Sequence, residues 1–162
     1  MGMKTEAIVS VQEYLKTSYE PDCDYVDGEV QERNVGERDH SEIQGEFFFF
    51  FRQRQERWKT FAFLEQRIQI SAGRFRVPDI FVYAGAKPAE QIFRTPPFIC
   101  IEILSAEDRM ERIQQRIDDY LNFGVRYIWV INPRGRRAWT YSKDGSREIF
   151  DGFLRQIGRA HV

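Results

Sequence analysis

Two acids sit where acids are costly. Asp79 lies in the segment Arg-Val-Pro-Asp-Ile-Phe-Val-Tyr (76–83) and Glu102 in Phe-Ile-Cys-Ile-Glu-Ile-Leu (98–104). Both segments have the apolar, β-branched composition of buried strands. On strand alternation Glu102 shares a face with Phe98, Cys100 and Leu104, while Ile99, Ile101 and Ile103 take the other. A buried carboxylate must be neutralised, paired with a cation or bound to a metal. Taken alone, Glu102 is explained equally well by a core ion pair to an arginine and by a functional role. Asp79 alone is weaker still, because Pro-Asp is a common way from loop into strand. The pair says more. Two carboxylates on neighbouring strands can share a hard divalent ion, Mg²⁺ or Mn²⁺. Such an ion polarises a phosphoryl group and supplies hydroxide for in-line attack.

The rest of the chain bounds that chemistry. Its 162 residues suit one domain with a sizeable core. No apolar run approaches the ~20 residues of a membrane span, and no secretory signal opens the chain, so a cytoplasmic protein is expected. Cys23 and Cys100 match no zinc spacing and read as reduced thiols. The formal charge of −1 excludes a strongly basic nucleic-acid glove. It leaves room for local clusters, at Arg52, Arg54, Arg57 and Lys59, at Arg74 and Arg76, at Arg109, Arg112 and Arg116, and at Arg134, Arg136 and Arg137. No Gly-x-Ser-x-Gly elbow and no P-loop occurs. With His40 and His161 as the only histidines, Ser-His-Asp chemistry has little to work with.

The acids need elements to hold them. Ser10 to Glu13 forms a capping box for a short helix through about Lys16. Asp-Tyr-Val-Asp-Gly-Glu-Val (24–30) reads as a β-hairpin turning at Asp27-Gly28. His40 to Trp58 has helical spacing, and its run Phe47 to Phe51 overfills one face, offering a surface to a partner or a second copy. Phe61 to Ile70 alternates as one strand; residues 79–83 and 98–104 give two more. Ser105, with Asp108 three residues on, is an N-cap for a helix running to Phe123, with Met110, Ile113, Ile117, Tyr120 and Leu121 as its apolar stripe and Gly124 as its stop. Strands follow at Tyr127 to Ile131 and Ala138 to Tyr141. A strand–helix–strand crossover near the end requires a parallel pair. The expected class is α/β (α+β): a mixed sheet flanked by helices, with an N-terminal hairpin.

Pro-Asp at a strand start and an acid on the next strand resemble the PD-(D/E)xK nuclease motif, although Leu104 stands where that motif has lysine. The chain as a whole resembles the Uma-two family of restriction endonuclease-like proteins, also filed as a domain of unknown function. The resemblance rests on "YVDGEVQE", a His opening the following helix, "VPD", "IEILS", "YLNFGV" and "YIWVINP", in order from Val11 to about Tyr141. It implies a restriction endonuclease-like domain over residues 1–156 that hydrolyses DNA with a Mg²⁺ or Mn²⁺ ion on Asp79 and Glu102. It also implies a lysine migrated to the next helix, four positions before Tyr120, where this chain has Arg116. The helical wheel puts Arg116 beside the apolar stripe, in line with Arg109 and Arg112. A guanidinium stays protonated, so it can clamp phosphate or balance charge but is a poor base. Glu29 matches a recurrent acid of the family and joins Asp79, Glu102 and Arg116 as an expected site residue. Two further readings stand beside the nuclease: a non-cutting module that grips nucleic acid or a protein, and a plain core ion pair between Glu102 and Arg116. His40 and Glu65 are weaker candidates, read by default as surface residues. The last six residues, Ile157 to Val162, correspond to a translated sequencing-adapter string, and the expectation is an artefact replacing the natural C-terminus.

Overall fold

The computed structural model describes residues 7–150; the suspected adapter residues lie outside them. Helix α1 (Val11–Lys16) starts where Ser10 Oγ accepts the Glu13 amide at 3.1 Å. Strands β1 (Asp24–Val26) and β2 (Glu29–Gln31) form the expected hairpin. Its turn residues Asp27 and Gly28 have φ of 50° and 99°, which suits a two-residue turn matched to strand twist. Then come α2 (Arg38–Trp58), β3 (Thr60–Leu64), β4 (Ile68–Ser71), β5 (Arg74–Arg76), β6 (Ile80–Ala84) and β7 (Ile99–Ile103). The chain continues through α3 (Met110–Phe123), β8 (Tyr127–Asn132), β9 (Arg137–Ser142) and β10 (Gly145–Ile149).

There are two sheets where one was expected. The large one has the order β10-β9-β8-β7-β6-β3, and the small one β2-β1-β5-β4. The single strand expected over 61–70 is broken at Glu65, whose φ of 48° turns the chain out of β3. After the break β4 pairs with β5 in the small sheet instead. Residues 76–83 divide in the same way, β5 ending at Arg76 and β6 starting at Ile80. Strands β5 and β10 were not anticipated, being short and polar.

Strand alternation on β7 separates the two faces of the large sheet. Ile99, Ile101 and Ile103 pack with Phe51, Ala62, Val82 and Trp129 under α2. Cys100 packs with Ile113, Ile117 and Tyr120 under α3. The crossover through α3 joins β7 to its parallel neighbour β8 and lays α3 on the face that carries Glu102. Gly124, at φ 109°, ends α3 as expected, with its amide bonded to the Tyr120 and Leu121 carbonyls. The start of α3 differs from expectation. Ser105 donates to Asp108 Oδ2 in a turn, the helix begins at Met110, and Met110 is 67% exposed instead of joining the stripe. The small sheet packs on α1 through Tyr14, Tyr25 and Phe75. Both cysteines are free and buried, and no helix among the described residues is long and apolar enough to cross a membrane.

Phe49 and Phe50 stay exposed on α2 while Phe51 is buried, so the phenylalanine run serves two faces. Ile101→Ala should therefore lower stability by about 2–5 kcal/mol in urea unfolding. Phe49→Ser should stay within about 0.5 kcal/mol of wild type.

Candidate active site

Asp79 ends the link between β5 and β6, one residue before β6 begins. The antiparallel pairing of Ile80 with Ile101 sets it beside Glu102. Its Oδ2 accepts the Ile103 amide at 2.7 Å. Its Oδ1 accepts Arg33 Nη2 at 2.7 Å and lies 3.2 Å from His40 Nε2. Gln44, one turn along α2 from His40, bonds the Asp79 carbonyl at 3.0 Å. Burial pushes the Asp79 carboxyl up, but the His40 hydrogen bond, the Arg33 charge and the Ile103 amide outweigh it and hold its pKa below the usual range. The same bond raises the His40 imidazole above its ordinary 6.5.

Glu102 is 5% exposed. Its Oε1 accepts Arg116 Nη2 at 2.6 Å, Arg116 Nε at 3.2 Å and the Tyr120 hydroxyl at 2.5 Å. Burial raises its pKa to about 7, against the pull of Arg116 and with the push of the Asp79 charge. Between 4.5 and about 7 the folded chain holds a proton that the unfolded chain has released, so this group makes stability fall as pH rises through that window. The lateral position of Arg116 on α3, legible from the helical wheel, thus becomes a direct contact.

Sequence reasoning missed two residues of the site, Arg33 and Asp24 of β1. Asp24 is 2% exposed. Its Oδ2 accepts Arg76 Nη1 at 2.9 Å and also Arg116 Nη1, and its Oδ1 accepts the Val77 amide at 2.9 Å. Burial alone would raise its pKa; the guanidiniums of Arg116, Arg76 and Arg33 lower it. Arg76, 1% exposed, reaches on to Asp119 of α3 at 2.5 Å. The hairpin acid proposed from the sequence, Glu29, is exposed at the start of β2 and is not among the residues lining the cavity. Position decides between them: Asp24 pairs with Gln31 deep in the hairpin, and Glu29 pairs with Val26 at its turn. Glu65 is 45% exposed and 3.4 Å from Arg33, while the neighbouring Arg67 bonds Asp22.

These groups line a cavity of about 330 Å³. Asp79, Glu102, Arg116, Asp24, Arg33 and His40 all contribute to it, and Arg109 and Arg112 are exposed residues of its lining. Arg33 Nη1 is buried without a hydrogen-bond partner. The donor set as arranged does not fit the expected Mg²⁺ or Mn²⁺. Both Asp79 oxygens and Glu102 Oε1 already hold protein donors. Among the described residues no three His, Cys, Asp or Glu side chains converge as ligands.

Two outcomes check this electrostatic arrangement. In an NMR titration His40 should titrate above 6.5, and return toward that value in Asp79→Asn. The His40–Asp79 pair stabilises fully below 6.5 and is lost as pH rises through the raised His40 pKa. Gly36→Ala should act in the same direction, since its Cβ would meet His40 Nδ1 at 2.8 Å and push the ring off Asp79. Arg76→Ala should cost about 3–5 kcal/mol in urea unfolding, because Asp24 and Asp119 lose a buried counter-ion.

The crystal structure of "a putative nuclease belonging to DUF820 from Anabaena variabilis ATCC 29413" superposes with a TM-score of 0.77 at 25% sequence identity, covering 86% of this chain and 83% of that one. No curated protein sequence matches the chain. A family model matches residues 11–155, and the chain therefore belongs to the Uma2 family, described as "Putative restriction endonuclease".

Proposed function

We propose that the chain is an endonuclease acting on DNA phosphodiester bonds at the cavity floored by Asp79, Glu102 and Arg116. The observation that carries this reading is the unpartnered Arg33 Nη1 beside a cavity that also collects His40, Arg109 and Arg112. A buried guanidinium with donor capacity to spare suits an anionic group such as a phosphodiester. Family membership and the nuclease-like fold support the same substrate class.

In this reading Arg33 and the exposed Arg109 and Arg112 hold phosphate oxygens. His40, protonated on Asp79, can give a proton to a leaving oxygen. Glu102, titrating near 7, can take one from water. Arg116 works through Glu102 and is a positioning residue. A Mg²⁺ or Mn²⁺ ion, if held, would lie on Asp79 and Glu102, where it would polarise the phosphoryl group. Glu29, exposed outside the cavity, has no part in these steps.

One observation favours a second reading, a module that binds nucleic acid without cutting. Arg116, at the position of the migrated lysine, is committed to internal oxygens and cannot clamp a phosphate.

Supercoiled plasmid incubated with Mg²⁺, with Mn²⁺ or with EDTA separates the two. Wild type should nick in at least one condition, and Glu102→Ala and Asp79→Ala should lose that nicking. Duplex binding that weakens steeply with salt, with no nicking by wild type in any condition, would leave the binding module.

A further inference from the structure

The outer side of α2 carries an aromatic centre. Phe49 is 58% exposed and Phe50 40%, while Phe47, Phe48 and Phe51 turn toward the large sheet. Phe50 is held in place. The Arg54 guanidinium lies 3.8 Å from its ring centre and donates to the Phe50 carbonyl at 3.1 Å, and Trp58 meets the ring edge-on at 5.5 Å. Tryptophan and arginine are common anchors of interfaces, and rings already ordered lose little freedom on binding. Gly45, one turn before Phe49, is exposed, and a Cβ there would meet nothing within 4 Å among the described residues. Nothing within one copy of the chain calls for a mid-helix glycine, which costs up to about 1 kcal/mol relative to alanine. It leaves a low point in the ridge, where a second backbone can come close.

The charges along this helix are ordered. Asp39, Glu42 and Glu46 lie on its first half. Arg52, Arg54 and Arg57 lie on its last, with Lys59 just beyond the end and Glu56 the one acid among them. Glu42, Glu46 and Arg57 are exposed and form no ion pair among the described residues. A helix that is acidic at its start, aromatic in its middle and basic at its end is complementary to itself run in the opposite direction. A two-fold axis between Phe49 and Phe50 sets Phe49 against Phe50 of the second copy and Glu42 against its Arg57, each contact occurring twice.

We propose that this side of α2 is a two-fold dimer interface, in which two copies of the chain pack α2 antiparallel about Phe49 and Phe50. Single-stranded nucleic acid also stacks on aromatics beside arginine, but it suits this side less well, because Glu42 and Glu46 would repel its phosphates. His40 and Gln44 leave the opposite side of the helix toward Asp79, so the cavity stays open in the dimer. With 21 residues α2 is about 30 Å long. A stripe of that length, one helix wide, offers less than the roughly 800 Å² per partner of a stable interface, which places the Kd in the micromolar range.

The test is sedimentation velocity over about 1 to 100 µM chain. Wild type should pass from monomer toward dimer across that range, and Phe49→Ser should raise the Kd about tenfold or more. In dilute solution Phe49→Ser keeps the stability of the monomer near wild type, so a lost dimer is not a lost fold. Glu42→Arg and Arg57→Glu should each weaken the dimer roughly fivefold at low salt by setting like charges together, and the two in one chain should restore it. Wild type that stays monomeric at the highest concentration would overturn the proposal. So would a dimer indifferent to Phe49→Ser, or one that the double charge reversal fails to restore. A monomeric chain whose affinity for a single-stranded oligonucleotide drops in Phe49→Ser would assign this side to nucleic acid instead. Association is read without DNA cleavage, so failure here and failure of the nuclease reading are told apart.

Discussion

Asp24 and Glu102 belong to different sheets, and one guanidinium answers for both. Arg116 bonds Asp24 on the small sheet and Glu102 on the large one, from a helix that packs on the large sheet. Carboxylates this deep must be paired, so the small sheet can dock only where Asp24 meets Arg116. Arg76, from β5 of the same small sheet, supports Asp24 and adds a second bond across to Asp119 on α3. The apolar clusters hold each layer together. The ion network fixes how the layers are set against one another, and the cavity is a product of that setting.

The same requirement accounts for what was legible in the sequence. The apolar run around Glu102 announced both the strand and its faces, because alternation on a sheet covered on both sides leaves little freedom. The position of Arg116 beside the stripe of α3 followed from helical geometry. Asp24 could not be found in that way. It lies in a polar stretch between a short helix and a hairpin turn, where acids are ordinary, and its burial comes from a second sheet that local pattern did not reveal. His40 was undervalued for the same reason, since a histidine in the first turn of a helix is exposed unless another element covers it. Here Asp79 and Arg33 do so. The one signal that pointed toward Asp24 was its neighbour Tyr25, an aromatic on a short strand that needs a core to pack against.

The break at Glu65 shows how little sequence is needed to divert a chain. Residues 61–70 alternate well enough for a single strand, yet one residue with positive φ sends the second half to another sheet. Periodicity reports which side chains face inward and is silent on which sheet they face. The two-sheet architecture therefore had to come from tertiary packing, where the aromatic cluster of Tyr14, Tyr25 and Phe75 supplies the small sheet with its own core.

The Asp24–Arg116 bond spans 92 positions of the chain. Closing so long a loop costs chain entropy that only the completed contacts repay. Among the described residues no single hairpin or helix holds both Asp24 and Glu102 with the guanidinium that pairs them. As the chain leaves the ribosome, Asp24 and Glu102 emerge without their α3 partner, and the pocket acquires its charge pattern only after residue 116 has appeared and α3 has docked. The burial of these paired charges thus comes late in synthesis, and a partly made chain lacks the charged cavity altogether.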